Sequence, residues 1–275
     1  MRLSLPKRIL LNLVALVYVA LLVFPVALMF LNAIRTEGEI IQSPVALPRA
    51  VTGENFREIF RESTFMSNLA NSLVVSGLTV LLTITVTAPA GYAMSRFRFR
   101  GKRLFSVWLL ATQAFPGIIM VLGIFMLFRA YGLLNSYAGL VVMHTSFSVP
   151  FSVWLLKGYF DRIPTALEDA AMIDGCGRLR ALLRVVLPLS VPGLLAVATF
   201  SFLLSWNEFF FALVINRVES LFTLPVFLSR FLGVGGMVRW GPLSAAALLA
   251  TIPALVLFML GQRYLVSGLT GGAVK

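Results

Sequence analysis

KGYFDRIPTALEDAAMIDGCGRLRALLRVVLPLSV, residues 157–191, is a 35-residue polar island between two long apolar runs. What surrounds it sets its meaning. The chain is 59% hydrophobic and 12% charged, with a mean hydropathy of +0.92, so the bilayer rather than water is its main solvent. A spanning helix needs roughly 20 apolar residues to cross about 30 Å of hydrocarbon. Six stretches meet that length, at about 9–34, 69–94, 104–128, 134–156, 185–211 and 240–262. The expected fold class is an all-α integral membrane protein with six spans in one membrane domain, residues 1–275.

The first run, behind Arg2, Lys7 and Arg8, has the basic lead of a secretory signal peptide. It is too long for one and lacks a small-x-small cleavage site, so it reads as a retained helix. Orientation follows from the basic residues, which stay on the cytoplasmic side near span ends. Clusters precede the first span, fill 96–103 and 157–184, and follow the last span, whereas the alternate loops are sparser in Lys and Arg. Both termini and the island are therefore expected on the cytoplasmic side. The loop SRFRFRGKR, residues 95–103, is accounted for as a positive anchor near anionic lipid without a specific ligand.

A net charge of +12 invites a nucleic-acid reading, but the cations sit at span ends rather than along one soluble face. No nucleic-acid partner is expected. One Cys and one His exclude an internal disulfide and make a protein metal site improbable. The chain has no G-x-x-x-x-G-K-[ST] phosphate loop, so it is not read as an ATPase. Between the first two spans, Phe56, Ile59 and Phe60 recur at helical spacing, which predicts a short surface helix capped near Thr52.

Within the island, Pro164 suits a first helical turn, Glu168 and Asp169 lie near the positive end of the helix dipole, and Gly175 suits the position just past the helix end. Spacing places Leu167, Ala170 and Ala171 on one face, small enough for a partner to approach closely. A second segment sets Leu179, Leu182, Leu183 and Val186 against Arg178, Arg180 and Arg184, and Pro188 and Pro192 then redirect the chain into the fifth span. An interfacial helix on lipid would explain the second segment. It fits the first poorly, because Asp161, Glu168, Asp169 and Asp174 would face a negative surface.

EDAAMIDG followed by VVLPLSVP resembles the EAA loop of importer permeases of the ATP-binding-cassette class, with Asp169 in place of the usual Glu. FSFLLSWNEFFFALVI (200–215) and QRYLVSGLTGGAVK (262–275) are similar to the carbohydrate-importer branch, near the smaller permease of maltose-type transporters. The resemblance implies the type I importer permease fold, with the island as a cytoplasmic coupling loop. ATP hydrolysis then belongs to a partner: two copies of an ATP-binding subunit, which hold ATP and Mg while this chain binds no cofactor. A second homologous permease and an extracytoplasmic sugar-binding protein complete the assembly, in a bacterial inner membrane.

The coupling residues implied are Glu168, Asp169, Ala170, Ala171, Asp174 and Gly175. The loop 216–239 resembles one that meets the binding protein, and the tail 268–275 one that reaches between the ATPase subunits. Polar side chains within spans often line a path or bridge helices, and Asn71, Gln113, His144, Asn207 and Glu208, with Trp206 beside them, are the candidates. His144 is read as a helix-bridging partner, and Glu208 must be paired, protonated or near the outer interface. Alternatives are a permease for a related solute such as glycerol 3-phosphate, and a stand-alone secondary transporter. The latter would need intramembrane ionisable coupling groups, for which only Glu208 and His144 are available.

Overall fold

The computed structural model describes residues 5–233 and 237–270, and among these every regular element is helical. In chain order they are α1 (Leu5–Ala33), α2 (Glu37–Gln42), α3 (Glu54–Arg61), α4 (Phe65–Arg96), α5 (Lys102–Thr112), α6 (Gly117–Ala130) and α7 (Tyr137–Phe160). Then come α8 (Ala166–Ile173), α9 (Arg178–Ala181), a π-helical turn (Leu182–Val186), α10 (Leu187–Leu189), α11 (Val191–Trp206), α12 (Phe210–Ile215), α13 (Leu224–Leu228) and α14 (Trp240–Thr270). Four of the described helices are long and apolar enough to cross a membrane, and two bent pairs bring the number to six if each is one span.

Two of the expected spans are bent. Residues 104–128 are not one helix: α5 and α6 meet at 97°. Pro116 is responsible, because its ring holds φ near −62° and its missing N–H cannot continue the ladder, while it pushes Phe115 away from helical backbone. Residues 185–211 are likewise broken. The segment Arg178–Leu189 turns by 81° into α11, with Ser190 at the corner between Pro188 and Pro192. The helix then stops at Trp206 and resumes as α12 only at Phe210. Pro188 cannot donate to the carbonyl four residues back, which is where the π-helical turn loosens the ladder.

The chain divides into two compact units: Met1–Met66 with Leu228–Ile252, and Ser67–Phe227 with Pro253–Lys275. The first is tied by polar contacts between segments distant in sequence. The Glu37 carboxylate accepts from the amides of Trp240 and Gly241, both at 2.9 Å, and so satisfies the free first turn of α14. Asn55 donates to the carbonyls of Ala33 (2.9 Å) and Arg35 (2.8 Å), and Arg239 pairs with Glu58. Arg35 is buried and donates to the carbonyls of Glu39 and Ser43. The expected surface helix near Thr52 is α3, and Thr52 Oγ1 accepts from Glu54 N at 3.2 Å. α1 leaves apolar side chains exposed all round, as a helix solvated by lipid or by another membrane subunit does.

The second unit is built around α7, the most buried of the long helices. It packs against α11, where Gly193 admits the Tyr159 ring; a Cβ there would lie 2.6 Å from it. At the other side, a Cβ on Gly91 of α4 would meet Leu156 Cβ at 3.1 Å, so α4 and α7 approach closely through a small residue. One apolar cluster joins Val75, Leu140, Met143, Ile215 and Val226. A second joins Tyr92, Leu156, Phe160, Leu182, Val186 and Val197, and it seats the far end of the 157–191 segment on α4 and α7.

Candidate functional site

α8 is a two-turn helix whose ends are closed by its own backbone. Its first turn stacks on Thr165, whose carbonyl accepts from the amides of Glu168 and Asp169, each at 2.9 Å. At its other end Gly175 adopts φ +85°, Gly175 N donates to Met172 O at 3.1 Å and Cys176 N to Ala171 O at 3.0 Å. That pair of bonds needs a left-handed residue at position 175, which glycine takes without strain. The helix thus has a fixed length and a fixed exit.

Its inward face is narrow. Glu168 is buried and Ala171 and Met172 are half-buried, at i, i+3 and i+4. Everything else points away: Leu167 is 46% and Ile173 86% exposed, with Asp169, Ala170 and Asp174 beside them. A short helix that leaves Leu167 and Ile173 in the open, framed by two carboxylates and a small alanine, has the makings of a docking face.

Glu168 holds the helix in place. Its Oε1 lies 2.6 Å from Arg96 Nε and its Oε2 accepts from Tyr92 Oη at 2.7 Å, both partners belonging to α4. Arg96 also donates to Ile163 O at 2.9 Å, so it grips the turn before α8 as well as α8 itself. One residue earlier, Ser95 Oγ donates to Asp161 at 2.6 Å, and Lys157 pairs with the other oxygen of that carboxylate at 2.5 Å. Partial burial pulls the Asp161 pKa upward, but the hydrogen bonds from Lys157 and Ser95 and the charges of Lys157 and Lys102 outweigh it, leaving it below the ordinary aspartate value. Arg178 closes the cluster over the Phe97 ring, 5.0 Å from its centroid.

Three expectations change here. Glu168 does not belong to the exposed face with Asp169, because its carboxylate is drawn inward by Arg96 and Tyr92. Ala171 turns toward the protein, and Leu167 is joined outside by Ala170 and Ile173 instead. Of the four apolar residues expected on one face of the following segment, Leu182 and Val186 are buried, while Leu179 and Leu183 stand 67% and 54% exposed. Arg96 and Tyr92 join the site without any motif to mark them. The loop at 95–103 is more than a lipid anchor, since the Arg96 side chain is 10% exposed and ion-paired. Nothing local announces that pairing across 72 residues; the sole cue is a cation at the end of a span facing an acidic island.

Of the residues expected along a pathway, the structure brings His144 and Glu208 together, with Ser205 beside His144. His144 Nδ1 lies 2.7 Å from Ser205 Oγ, which is 3.2 Å from Ser76 Oγ, so α7, α11 and α4 are bridged as expected of this histidine. Glu208 is paired: it accepts from the amides of Phe211 (2.8 Å) and Ala212 (2.9 Å) and lies 3.4 Å from His144 Nε2. It therefore closes the open first turn of α12 after the break that follows Trp206. Asn71 serves the loop before α13, donating to Ser220 O and Phe222 O and accepting from Tyr137 Oη at 2.7 Å. Trp206 is buried and stacked on Phe202 with centroids 5.3 Å apart. Gln113 and Asn207 are exposed, bonded to Phe147 O and Leu203 O.

A cavity of about 700 Å³ opens between α7 and α11, with Phe151, Trp154, Phe200 and Leu203 along its wall and Lys157, Asp161 and Arg162 at one end. Of the tail 268–275, residues 271–275 lie outside the described residues, as do 234–236 of the loop 216–239.

Broken apolar helices, buried polar bridges between them and a small helix held out on a charged clasp define a multi-pass membrane protein. Comparison with known proteins gives the class its family. Residues 86–271 match the model of the binding-protein-dependent transport system inner membrane component. A diacetylchitobiose uptake system permease protein, DasC of Streptomyces coelicolor, is 39% identical, the match covering 100% of both chains. A trehalose/maltose transport system permease protein, MalG of Thermococcus litoralis, is 35% identical over 100% of this chain and 99% of its own. In fold, the chain matches a bacterial ABC transporter involved in alginate import with a TM-score of 0.82, at 24% identity, covering 96% of this chain and 99% of that one. The chain belongs to the binding-protein-dependent transport inner membrane component family; it is an importer permease of the ATP-binding-cassette class and not an enzyme.

Proposed function

We propose that this permease carries a sugar or short oligosaccharide inward, driven by ATP hydrolysis in separate subunits that dock on α8. The observation that carries the coupling role is the outward face of Leu167, Asp169, Ala170, Ile173 and Asp174 on a helix clamped to the long helix α4. Asp169, Ala170, Ala171 and Gly175 supply the family's spacing, with Gly175 setting the exit turn. The sugar assignment draws on the relatives whose names specify diacetylchitobiose, trehalose and maltose. Aromatic rings along the cavity between α7 and α11 offer flat apolar surfaces to a solute on its way through.

The full transporter would comprise this chain, a second permease, two ATP-binding subunits and an external binding protein, with ATP and Mg bound by the ATPase pair. Basic residues around α8 and in the 96–103 loop support a cytoplasmic position for the ATP-binding subunits and for both termini, in a bacterial inner membrane. Reconstituting the assembly and measuring uptake of labelled diacetylchitobiose, trehalose and maltose tests the reading. ATP-dependent accumulation of a saccharide supports it; accumulation of a non-sugar solute alone contradicts the substrate assignment.

A further inference from the structure

Tyr92 and Arg96 sit at i and i+4 on α4, so their side chains leave one face of that helix together and close on a single carboxylate, Glu168. Burying two charges costs desolvation that a well-packed apolar pair would avoid, so the ion pair contributes fixed geometry more than net stability. Its bonds are short and charge-assisted, and they end on α8 itself. Ser95 and Arg96 also hold Asp161 and Ile163, the two ends of the turn that leads into α8. The remaining inward contacts of α8 are the half-buried Ala171 and Met172, which can slide on neighbours in a way that a two-point hydrogen-bonded carboxylate cannot.

We infer that Arg96, Tyr92 and Glu168 are positioning residues for energy coupling: they make α8 a rigid extension of α4, so that displacement of α8 by an ATPase is delivered to the far end of that helix. At 32 residues α4 is about 48 Å long, enough to carry the movement across a bilayer. Glu168 and Asp169 then divide two tasks, the first holding α8 to its own subunit and the second facing the partner. The inference rests on the coupling role proposed for α8 and adds the route by which the movement leaves it.

The test uses the full transporter, co-expressed and reconstituted, with Cys176→Ser to remove the native thiol and Met66→Cys at the exposed start of α4 as a reporter. Labelling of this Cys by a membrane-impermeant maleimide is compared with and without ATP and vanadate, at equal amounts of trapped nucleotide. The expected result is a trap-dependent change in labelling rate of about fivefold or more in the parent, lost in Glu168→Gln and Arg96→Ala and regained in the exchange Arg96→Glu with Glu168→Arg. Tyr92→Phe, which removes one hydrogen bond without changing shape, gives an intermediate change and keeps the test open should the charge variants fail to assemble. An unaltered change in the clasp variants, or no change in the parent, overturns the inference. Failure of the coupling role shows differently: Ala170→Trp complexes would retain their ATPase subunits.

Discussion

Arg96 Nε and Glu168 Oε1 lie 2.6 Å apart, although 72 residues separate them, and both side chains are nearly excluded from water. Removing one partner strands the other charge, which costs about 3–5 kcal/mol, whereas replacing both by apolar residues is often neutral. Arg96→Ala and Glu168→Leu should therefore each lower the thermal midpoint of the purified permease strongly, and Arg96→Met with Glu168→Leu should recover most of it. Equal losses in the single and double variants would show that the pair's environment, not the pairing, matters.

A neighbouring carboxylate gives a pH signature. Asp161 has a depressed folded-state pKa, so its contribution to stability is fully present above the unfolded aspartate value and is lost as pH falls through the folded one. The melting difference between the parent and Asp161→Asn should be constant around neutrality and vanish in acid. A difference that grows on acidification would contradict the assigned direction.

Glycines along the spans should differ sharply in tolerance. A Cβ on Gly139 would lie 2.1 Å from Leu133 O and one on Gly193 2.6 Å from the Tyr159 ring, while a Cβ on Gly158 meets nothing within 4 Å. Gly139→Ala and Gly193→Ala should destabilise by about 1–3 kcal/mol. Gly158→Ala in the same α7 should be neutral or stabilising by up to about 1 kcal/mol, because alanine loses less entropy in a helix. Detergent melting curves of the three variants check the order.

Ser205 bridges three helices through His144 and Ser76. Ser205→Ala leaves the buried Nδ1 of His144 without that partner and should cost about 1–3 kcal/mol. His144→Ala with Ser205→Ala should cost less than the sum of the two single changes, which a double-mutant cycle on melting would reveal. Strict additivity would mean that the two groups act separately.

How much of this was legible beforehand depends on the range of the interaction. Gly175 could be placed past the end of α8 because the turn there needs a residue at positive φ, a local demand. The six apolar runs were likewise visible, since hydropathy is summed over neighbours. The 97° corner at Pro116 was not, because proline marks a break in the ladder without giving its angle. The same limit applies to Glu37, whose role in closing α14 depends on residues 203 and 204 positions away. The family resemblance groups Glu168 with Asp169 as coupling residues; only its meeting with Tyr92 and Arg96 turns it inward.

The central claim is that the exposed face of α8 is where an ATPase docks. It is tested most directly by placing a photoactivatable cross-linker on Ala170→Cys, in a Cys176→Ser background, within the reconstituted transporter. Cross-linking to the ATP-binding subunit is expected from position 170 and not from a cysteine at the exposed Leu81, within the membrane-spanning part of α4. Absence of an ATPase adduct from position 170 in an assembled, ATP-hydrolysing complex would contradict it.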